Sequence, residues 1–539
     1  MAGNWLGLLS IGVFYLIVLG IGIWASRKSK REERKCTGNS SEVTMVGGRN
    51  LKIWVSIFTM SGCMYSSVLQ LLGWEEAIFW VLLKWSTIQR RGGLFFVKPI
   101  RSKKYVTFMD PFQEKYGDTL AAVLFIPALL ADIFWTACIL GALGGTVSVV
   151  LDISSPLAVG ISAGVAIVYT LMGGLYSVAY TDVVQLGLMF FGLWFCVPFV
   201  LTSPSSANFT VAAVTKLHQE PWTGKLQLEE LGCWVDDILL MAIGGVCYQA
   251  FYQRVLSMAT DAQAKITCYA AAVICPLLGI PSIIIGGVAA STNWNQTSYG
   301  SPSPYEEGQA RMILPIALQH LCPFYVSLVG IGALAASVMS SIDSALLSAA
   351  SLIGRNIFKN IIYKRASERM IIVVVKVSVL LCGIIAAAFA MTSKSFYLLW
   401  YLSADVLYSV MTPHVICTFF LSQWVNQYGA CSGFVLAILL RALIGEPQIG
   451  LPDVLPLPWD KIQEDGHRYR LFPFRTVIML LAIVTILLVS RLAKMGLLNR
   501  TSDAETDTNL CSMAPIQTDM VEGKRLDKEQ PLFSEGDDV

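Results

Sequence analysis

Charged residues are scarce in this sequence. Only 14% of its 539 residues are Asp, Glu, Lys or Arg, whereas 55% are hydrophobic. An average soluble protein has about a quarter of its residues charged, which lets it cover its surface. The shortage therefore excludes an ordinary soluble globular protein. The near balance of 39 basic and 37 acidic residues gives no sign of nucleic-acid binding, which favours a clearly basic surface.

Residue patterns for metal or enzymatic chemistry are also missing. No CxxC pair or Cys/His spacing typical of a zinc site occurs, and no nucleophile–base arrangement or cofactor loop is present. The four histidines are scattered along the chain: His218, His320, His414 and His467. We therefore expect no enzyme, no transition-metal site and no organic cofactor. The thirteen cysteines lie mostly within apolar runs, where buried free thiols are expected.

Long apolar runs dominate what is present. A membrane-crossing helix needs about 20 apolar residues, and about thirteen runs meet or approach that length. They lie near residues 5–25, 47–70, 71–98, 117–150, 157–174, 180–202, 232–257, 264–290, 322–353, 370–391, 396–422, 427–445 and 471–495. This pattern predicts an all-α polytopic membrane protein with about thirteen transmembrane helices. Residues 1–497 are interpreted as one transmembrane domain, embedded in the lipid bilayer.

Basic residues cluster after alternate runs and indicate the orientation. The clusters lie at residues 27–35, 98–104, 359–369 and 491–494. Since positive residues near span ends favour the cytoplasm, an extracellular N-terminus and a cytoplasmic C-terminus are predicted. The polar, acidic residues 498–539 are then a cytoplasmic tail, which we expect to be disordered.

Two glycosylation acceptors agree with this orientation. Asn208 and Asn295 each begin an Asn-X-Thr pattern, and they fall in the loops at residues 203–231 and 291–321, which the predicted topology places outside the cell. The pattern is common by chance, so these two positions are singled out only because they agree with the predicted orientation. We expect a glycoprotein modified at these two positions.

One apolar run carries unusual polarity, because residues 337–344 read SVMSSIDS. Polar groups inside a bilayer are costly unless they face protein, water or an ion. Ser337, Ser340 and Ser341 share one face of a helix, and sodium favours several hard oxygen ligands. The run indicates a transporter of a small solute that uses a cation. The alternative is close helix packing, which small residues also permit.

A second informative stretch, residues 173–185, reads GGLYSVAYTDVVQ. Gly173 and Gly174 are expected to bend or break the helix. Thr181 or Asp182 is expected to cap the helix that follows. From the residues alone, this stretch is interpreted as a structural turn between two spans.

Together these two stretches resemble the sodium:solute symporter family. Five further segments resemble those members of the family that take up choline with high affinity: 109–113, 124–129, 252–257, 293–297 and 399–403. The resemblance implies a five-plus-five inverted-repeat core and sodium-driven, chloride-dependent choline uptake by alternating access. It also implies a plasma-membrane protein, at presynaptic endings, that supplies neurotransmitter synthesis.

The resemblance also assigns the sodium site. It falls on Ser337, Ser340 and Ser341, completed by backbone carbonyls near Thr59 and Gly62 at a break in the second span. Sodium and chloride are the implied coupling ions.

A substrate site follows from the same resemblance. Choline is a quaternary ammonium with no N–H to donate, so an aromatic cage must hold it. The cage positions are Trp135, Tyr248 and Trp400. Each Trp has an alternative role as an interfacial anchor or a packing residue. Asp132, one turn before Trp135, is interpreted as a countercharge to the bound cation or as a packing carboxylate.

Residues 61–91 depart from the family pattern. Met64 stands where a cage Trp is expected, a glycine-rich run is absent, and Tyr248 replaces another Trp. Lys84 and Arg90 are expensive within a span. Three explanations stay open: a paralogue with weaker or altered substrate choice, a chain that has lost transport and acts as a membrane sensor or partner, or an incorrectly spliced reading of this segment.

Overall fold

The computed structural model describes most of the chain between residues 12 and 511. The described residues are 12, 16, 19–28, 40–69, 92–172, 174–205, 228–309, 312–393, 395–446, 450–462 and 468–511. Most of the predicted run at 71–98, the acceptor Asn208 and residues 512–539 lie outside them, as does the side chain of Met64.

The described chain is helical almost throughout. Its helices are α1 Ser40–Val46, α2 Ile53–Leu69, α3 Val97–Ser102, α4 Asp110–Leu151, α5 Ser155–Met172, α6 Leu175–Leu201, α7 Leu231–Leu239, α8 Gln249–Leu256, α9 Asp261–Ser291, α10 Ile313–Leu321, α11 Phe324–Leu352, α12 Glu368–Thr392, α13 Phe396–Val406, α14 Thr412–Phe420, α15 Gln427–Ile444 and α16 Phe474–Cys511. Two two-residue strands, β1 Lys461–Ile462 and β2 Arg468–Tyr469, pair antiparallel.

Local sequence explains where several helices begin. Ser367, Ser395 and Asn426 each accept a hydrogen bond from a backbone N–H of the first turn of α12, α13 and α15. Such caps satisfy backbone donors that have no partner inside the helix. Within α4, Gly117 has a φ of 82°, so the long helix is kinked there before its apolar part begins.

The membrane-spanning segments confirm the predicted class. Among the described residues, seven helical segments are long and apolar enough to cross a membrane, or eight if a bent pair counts as one span. The protein is therefore an all-α, multi-pass membrane protein. The total of about thirteen spans stays a prediction, since part of the chain is not described.

The bent pair has a specific geometry. Residues 228–247 and α8 are inclined at 50° to each other, and the first of these segments ends in π and 3₁₀ turns. Tyr248 lies at the break, with extended backbone angles of φ −71° and ψ 131°. An interruption of this kind within a membrane is tolerated where the backbone is surrounded by protein.

Helix α11 lies at the centre of the bundle, packed against α2, α4, α6 and α12. Its side chains are buried almost without exception from Ala333 to Leu352. Close approach to α6 depends on small residues: a Cβ added at Gly192 of α6 meets the Cβ of Ala333 at 2.7 Å. The small-residue packing considered from the sequence is therefore real, and it coexists with a run of buried hydroxyls.

Buried ion pairs also link the later helices. Arg475 at the start of α16 lies 3.3 Å from Asp236 of α7 and 3.6 Å from Asp405 of α13. Arg441 of α15 lies 2.6 Å from the same Asp405. These pairs explain how charged residues are accommodated within apolar segments.

By its internal contacts the chain divides into one unit at residues 1–490 and a second at residues 491–539. Of the second unit, residues 491–511 are described, and they are helical. The predicted division into a transmembrane domain of residues 1–497 and a disordered tail of residues 498–539 stays a prediction.

Candidate functional site

Asp182 is the centre of a buried polar cluster. It lies inside α6, two turns from the first residue, and its side chain is fully buried. The residue at the N-terminal cap is Gly174, so the prediction that Thr181 or Asp182 caps this helix is wrong. The structural reason is that the helix starts directly after the glycine pair.

Two hydroxyls from different helices donate to this carboxylate. Thr59 Oγ1 of α2 donates to Asp182 Oδ2, and Ser340 Oγ of α11 donates to Asp182 Oδ1. Thr59 and Ser340 were both predicted as sodium-site residues. The structure brings them together through a third residue that the sequence reasoning had not included.

Arg254 of α8 neutralises Asp182. Its Nη2 lies 3.3 Å from Asp182 Oδ2, and both side chains are fully buried. The guanidinium also donates to the Thr59 carbonyl at 2.9 Å, to the Ala250 carbonyl at 3.2 Å and to Ser344 Oγ. A buried ion pair is tolerable when further hydrogen bonds satisfy its remaining donors, and here they do.

The Thr59 carbonyl therefore has a partner that the sequence did not indicate. The second span also has no break at this point: α2 is helical from Ile53 to Leu69, through both Thr59 and Gly62. The prediction of freed carbonyls at a helix break is wrong, because Arg254 reaches the Thr59 carbonyl without any interruption of the helix. The group that α2 contributes to the cluster around Asp182 is the Thr59 hydroxyl.

Ser337 and Ser341 lie on the same helix as Ser340. Both are buried, and they lie one turn before Ser340 and next to it. The predicted set of three serines is therefore assembled on one buried helix, facing neighbours rather than lipid.

The predicted cage residues Trp135 and Tyr248 are in contact. Their ring centroids are 5.1 Å apart with an interplanar angle of 57°. Tyr248 is further fixed by a hydrogen bond to Ser403 of α13, with its hydroxyl oxygen 2.7 Å from Ser403 Oγ. Since Ser403 donates to the Ala131 carbonyl, Tyr248 is the donor in the first bond.

Trp400 lies near this pair. It precedes Ser403 by one turn of α13, and its backbone is in hydrogen-bonding contact with the sulfur of Cys138, one turn beyond Trp135 on α4. Trp135 is 1% exposed and Trp400 is 6% exposed. An interfacial anchor must face lipid headgroups, so the structure excludes that role for both residues.

Asp132 is buried one turn before Trp135. Ser348 Oγ of α11 donates to its Oδ2 at 3.0 Å. Within the described part of the chain, no Lys or Arg forms an ion pair with Asp132. A buried carboxylate without a countercharge is expensive, so this position favours an incoming cation.

Sequence reasoning missed three members of these clusters. Asp182 was assigned to a cap, Arg254 lay within the segment 252–257 that carries the resemblance, and Ser348 was not singled out. A signal for two of them was available, because an ionisable residue inside an apolar span is a functional candidate by default. Their pairing was not available, since nothing in the order of residues links α6 to α8.

Comparison with known proteins identifies the relatives of this chain. Residues 29–437 match the model of the sodium:solute symporter family. The chain is 43% identical over 501 residues to the human high affinity choline transporter 1, covering 90% of this chain and 85% of that protein. It is 42% identical over 504 residues to the high-affinity choline transporter 1 of Torpedo marmorata, with the same coverage.

Among solved structures, a sodium-coupled sialic acid symporter in a substrate-bound outward-open state has the same fold. It superposes with a TM-score of 0.70 and covers 90% of this chain and 97% of its own, at 16% identity. Family members are transporters, so the expectation that the chain is not an enzyme is confirmed. On the match over most of its length, this chain belongs to the sodium:solute symporter family.

Proposed function

We propose that this chain couples the uptake of choline, or of a closely similar small organic cation, to sodium across the plasma membrane by alternating access. Two kinds of observation support the proposal. The relatives with the matching sequence are choline transporters by name, and the described residues include a buried carboxylate without a countercharge beside an aromatic pair.

Asp132 carries this proposal. A quaternary ammonium offers no hydrogen-bond donor, so a protein binds it through aromatic faces and opposite charge. Trp135 and Tyr248 supply the aromatic faces, and Asp132 supplies the charge one helical turn away. Trp400 contributes a third ring from α13. Ser348 holds the carboxylate in place and leaves its charge uncompensated.

For sodium we propose the predicted hydroxyls, with a new role for Asp182. A hydroxyl that donates its proton to a carboxylate still has two lone pairs to offer. Asp182 accepts a hydrogen bond from each of Thr59 and Ser340, and this fixes both hydroxyl oxygens with their lone pairs directed away from it. Asp182 is then a positioning residue, and the sodium ligands are Thr59, Ser340, Ser337 and Ser341.

Helix α11 links the two sites. Ser340 belongs to the sodium set, and Ser348, about two turns further along the same helix, holds Asp132. A shift of this one rigid element alters both sites together. If sodium and choline both favour the outward-open state, each raises the affinity for the other, and the sodium gradient drives uptake.

Because Tyr248 replaces an expected Trp, this cage is predicted to bind choline more weakly than a cage in which that position is Trp. Tyr is a poorer cation–π partner than Trp, and the loss of one contact is worth about 0.5–2 kcal/mol. The chain is therefore proposed to transport choline with reduced affinity and not to have lost transport.

The experiment is sodium-dependent uptake of radiolabelled choline in cells expressing this chain, with surface expression quantified in parallel. Saturable uptake that disappears when N-methylglucamine replaces sodium supports the proposal. Normal surface expression without any sodium-dependent choline uptake contradicts it, and the membrane sensor or an altered substrate then becomes the better interpretation.

The orientation and the chloride requirement are proposals of the same kind. An extracellular loop at residues 291–321 agrees with an exposed Asn295 in the turn Trp294–Gln296, where an oligosaccharide has room. Removal of the glycan with a glycosidase tests the orientation through a mobility shift that Asn295→Gln abolishes. Replacing chloride with gluconate tests the chloride dependence implied by the resemblance; unchanged uptake contradicts it.

A further inference from the structure

Two cysteines meet at one end of the bundle, away from both sites. Cys196 lies on α6, five residues before the helix ends, and its side chain is fully buried. Its Sγ lies 3.5 Å from the carbonyl oxygen of Val326 in the first turn of α11. A Cβ added at Gly330, one turn further along α11, meets the same sulfur at 2.7 Å.

Cys322 approaches from the other side. It directly follows α10 and precedes Pro323, which caps α11, so it lies four residues before Val326. The thiols of Cys322 and Cys196 are in hydrogen-bonding contact. Cys322 is partly exposed, and both residues are free thiols in this structure.

We propose that Cys196 and Cys322 form a disulfide in the mature protein. The two thiols together lose two electrons and two protons as the Sγ–Sγ bond forms. A protein disulfide of the secretory pathway accepts them by thiol–disulfide exchange and is itself reduced to two thiols. The contact between the two thiols makes the geometry of the bond accessible.

The compartment permits this chemistry. Cys196 lies near the end of α6 that leads into the loop predicted to be extracellular at residues 203–231, and Cys322 directly follows the loop predicted to be extracellular at residues 291–321. Disulfides form and persist on that side of the membrane. The proposal rests on the proposed orientation and does not depend on which substrate is carried.

Such a bond would act on the sodium site from a distance. It joins the outer ends of α6 and α11, the two helices that carry Asp182 and Ser340. Between the cysteine contact and the contact of Asp182 with Ser340, the two helices already pack closely at Gly192 and Ala333. A crosslink that closes a loop of roughly 100 residues or more restricts the unfolded chain strongly, so it stabilises the helix pair.

The direct test needs no variant. Protein from the cell surface is denatured in excess N-ethylmaleimide without reductant, digested, and mapped by mass spectrometry. We expect a peptide pair joined through Cys196 and Cys322 that separates on reduction. Alkylation of both thiols in the non-reduced sample, or a bond from either cysteine to another partner, overturns the proposal. Occupancy of Asn295 by glycan, read from the same digest, reports the orientation separately.

A second test measures what the bond does. Addition of a membrane-permeant reductant is expected to lower the melting temperature of the purified protein by several degrees. Cys322→Ala is expected to melt at the lower temperature with or without reductant. Cys417→Ala, which removes a buried thiol from α14, is the matched control and keeps the full response to reductant. A reductant effect that persists in Cys322→Ala overturns the assignment.

Discussion

Asp132 and Asp182 are both carboxylates buried within membrane spans, and they differ in what surrounds their charge. Asp182 has an arginine at 3.3 Å and two donor hydroxyls. Asp132 has one donor hydroxyl at 3.0 Å, and no Lys or Arg of the described chain forms an ion pair with it. The first carboxylate is neutralised by an arginine of the protein, whereas the second forms no ion pair with a described Lys or Arg.

The difference separates two uses of a buried charge. A neutralised carboxylate costs little further free energy and can fix the direction of neighbouring hydroxyls. An uncompensated carboxylate beside aromatic rings lowers the free energy of a bound organic cation. By this comparison we propose that Asp182 organises the sodium ligands and that Asp132 binds the substrate.

The largest effect is expected when the neutralised pair is broken. Arg254→Gln leaves Asp182 buried without a countercharge, which destabilises the protein by about 3–5 kcal/mol. We expect a strong loss of surface expression and a lower melting temperature. Adding Asp182→Asn to Arg254→Gln restores neutrality and is expected to recover much of the loss.

Arg355→Gln is the matched control for that experiment. Arg355 pairs with Asp110 at 3.4 Å, but both side chains are partly exposed, so little stability depends on the pair. If Arg254→Gln and Arg355→Gln behave alike, the buried pair has no special role in the fold.

Removing the uncompensated charge is expected to have the next largest effect. Asp132→Asn keeps the size of the side chain and takes away its charge, which is worth about 1.5–3 kcal/mol or roughly 10–150-fold in apparent affinity. The KM for choline, measured at saturating sodium, is expected to rise accordingly. Asp132→Glu keeps the charge, so its KM for choline is expected to rise less. An unchanged KM in Asp132→Asn makes Asp132 a packing residue.

Two serines on α11 sharpen the comparison. Ser340→Ala is expected to raise the sodium concentration for half-maximal uptake by roughly 3–10-fold, because one oriented oxygen is lost. Ser348→Ala, about two turns away, is expected to act on the KM for choline through Asp132. Each constant is measured with the other ligand at saturation. Equal effects of both variants on the same constant contradict the separation of the sites.

The smallest effect is expected at Tyr248. Tyr248→Phe keeps the ring beside Trp135 and removes the hydrogen bond to Ser403, so the KM is expected to rise a few-fold, for a loss of about 0.5–1.5 kcal/mol. Tyr248→Leu removes the ring as well, so its KM is expected to rise further. If Tyr248→Leu transports as well as Tyr248→Phe, the ring does not bind the substrate.

Much of the fold could be predicted from the sequence, because a bilayer restricts the secondary structures that can cross it. Apolar runs of sufficient length must become helices, and the expected segments at 264–290, 322–353 and 370–391 coincide with α9, α11 and α12. The shared face of Ser337, Ser340 and Ser341 was readable for a similar reason, since helical spacing alone decides it.

The positions at which the membrane helices are interrupted were harder to predict from the sequence. A break was expected near Thr59 and Gly62, yet α2 is continuous there and the interruption lies at Tyr248 instead. Whether a segment unwinds depends on which neighbours satisfy its backbone, and those neighbours come from other parts of the chain.

The sequence by itself determined that this protein crosses the membrane many times, that one of its helices carries a face of hydroxyls, and which aromatic residues are available to a cation. The first two follow from composition and helical period, and the third is what the resemblance to the family implies. Only the tertiary structure decided that Arg254 neutralises Asp182 while Asp132 has no such partner, because both side chains lie in segments of similar polarity and their electrostatic difference comes from helices distant in sequence. The free energy of a buried charge depends on its neighbours in space.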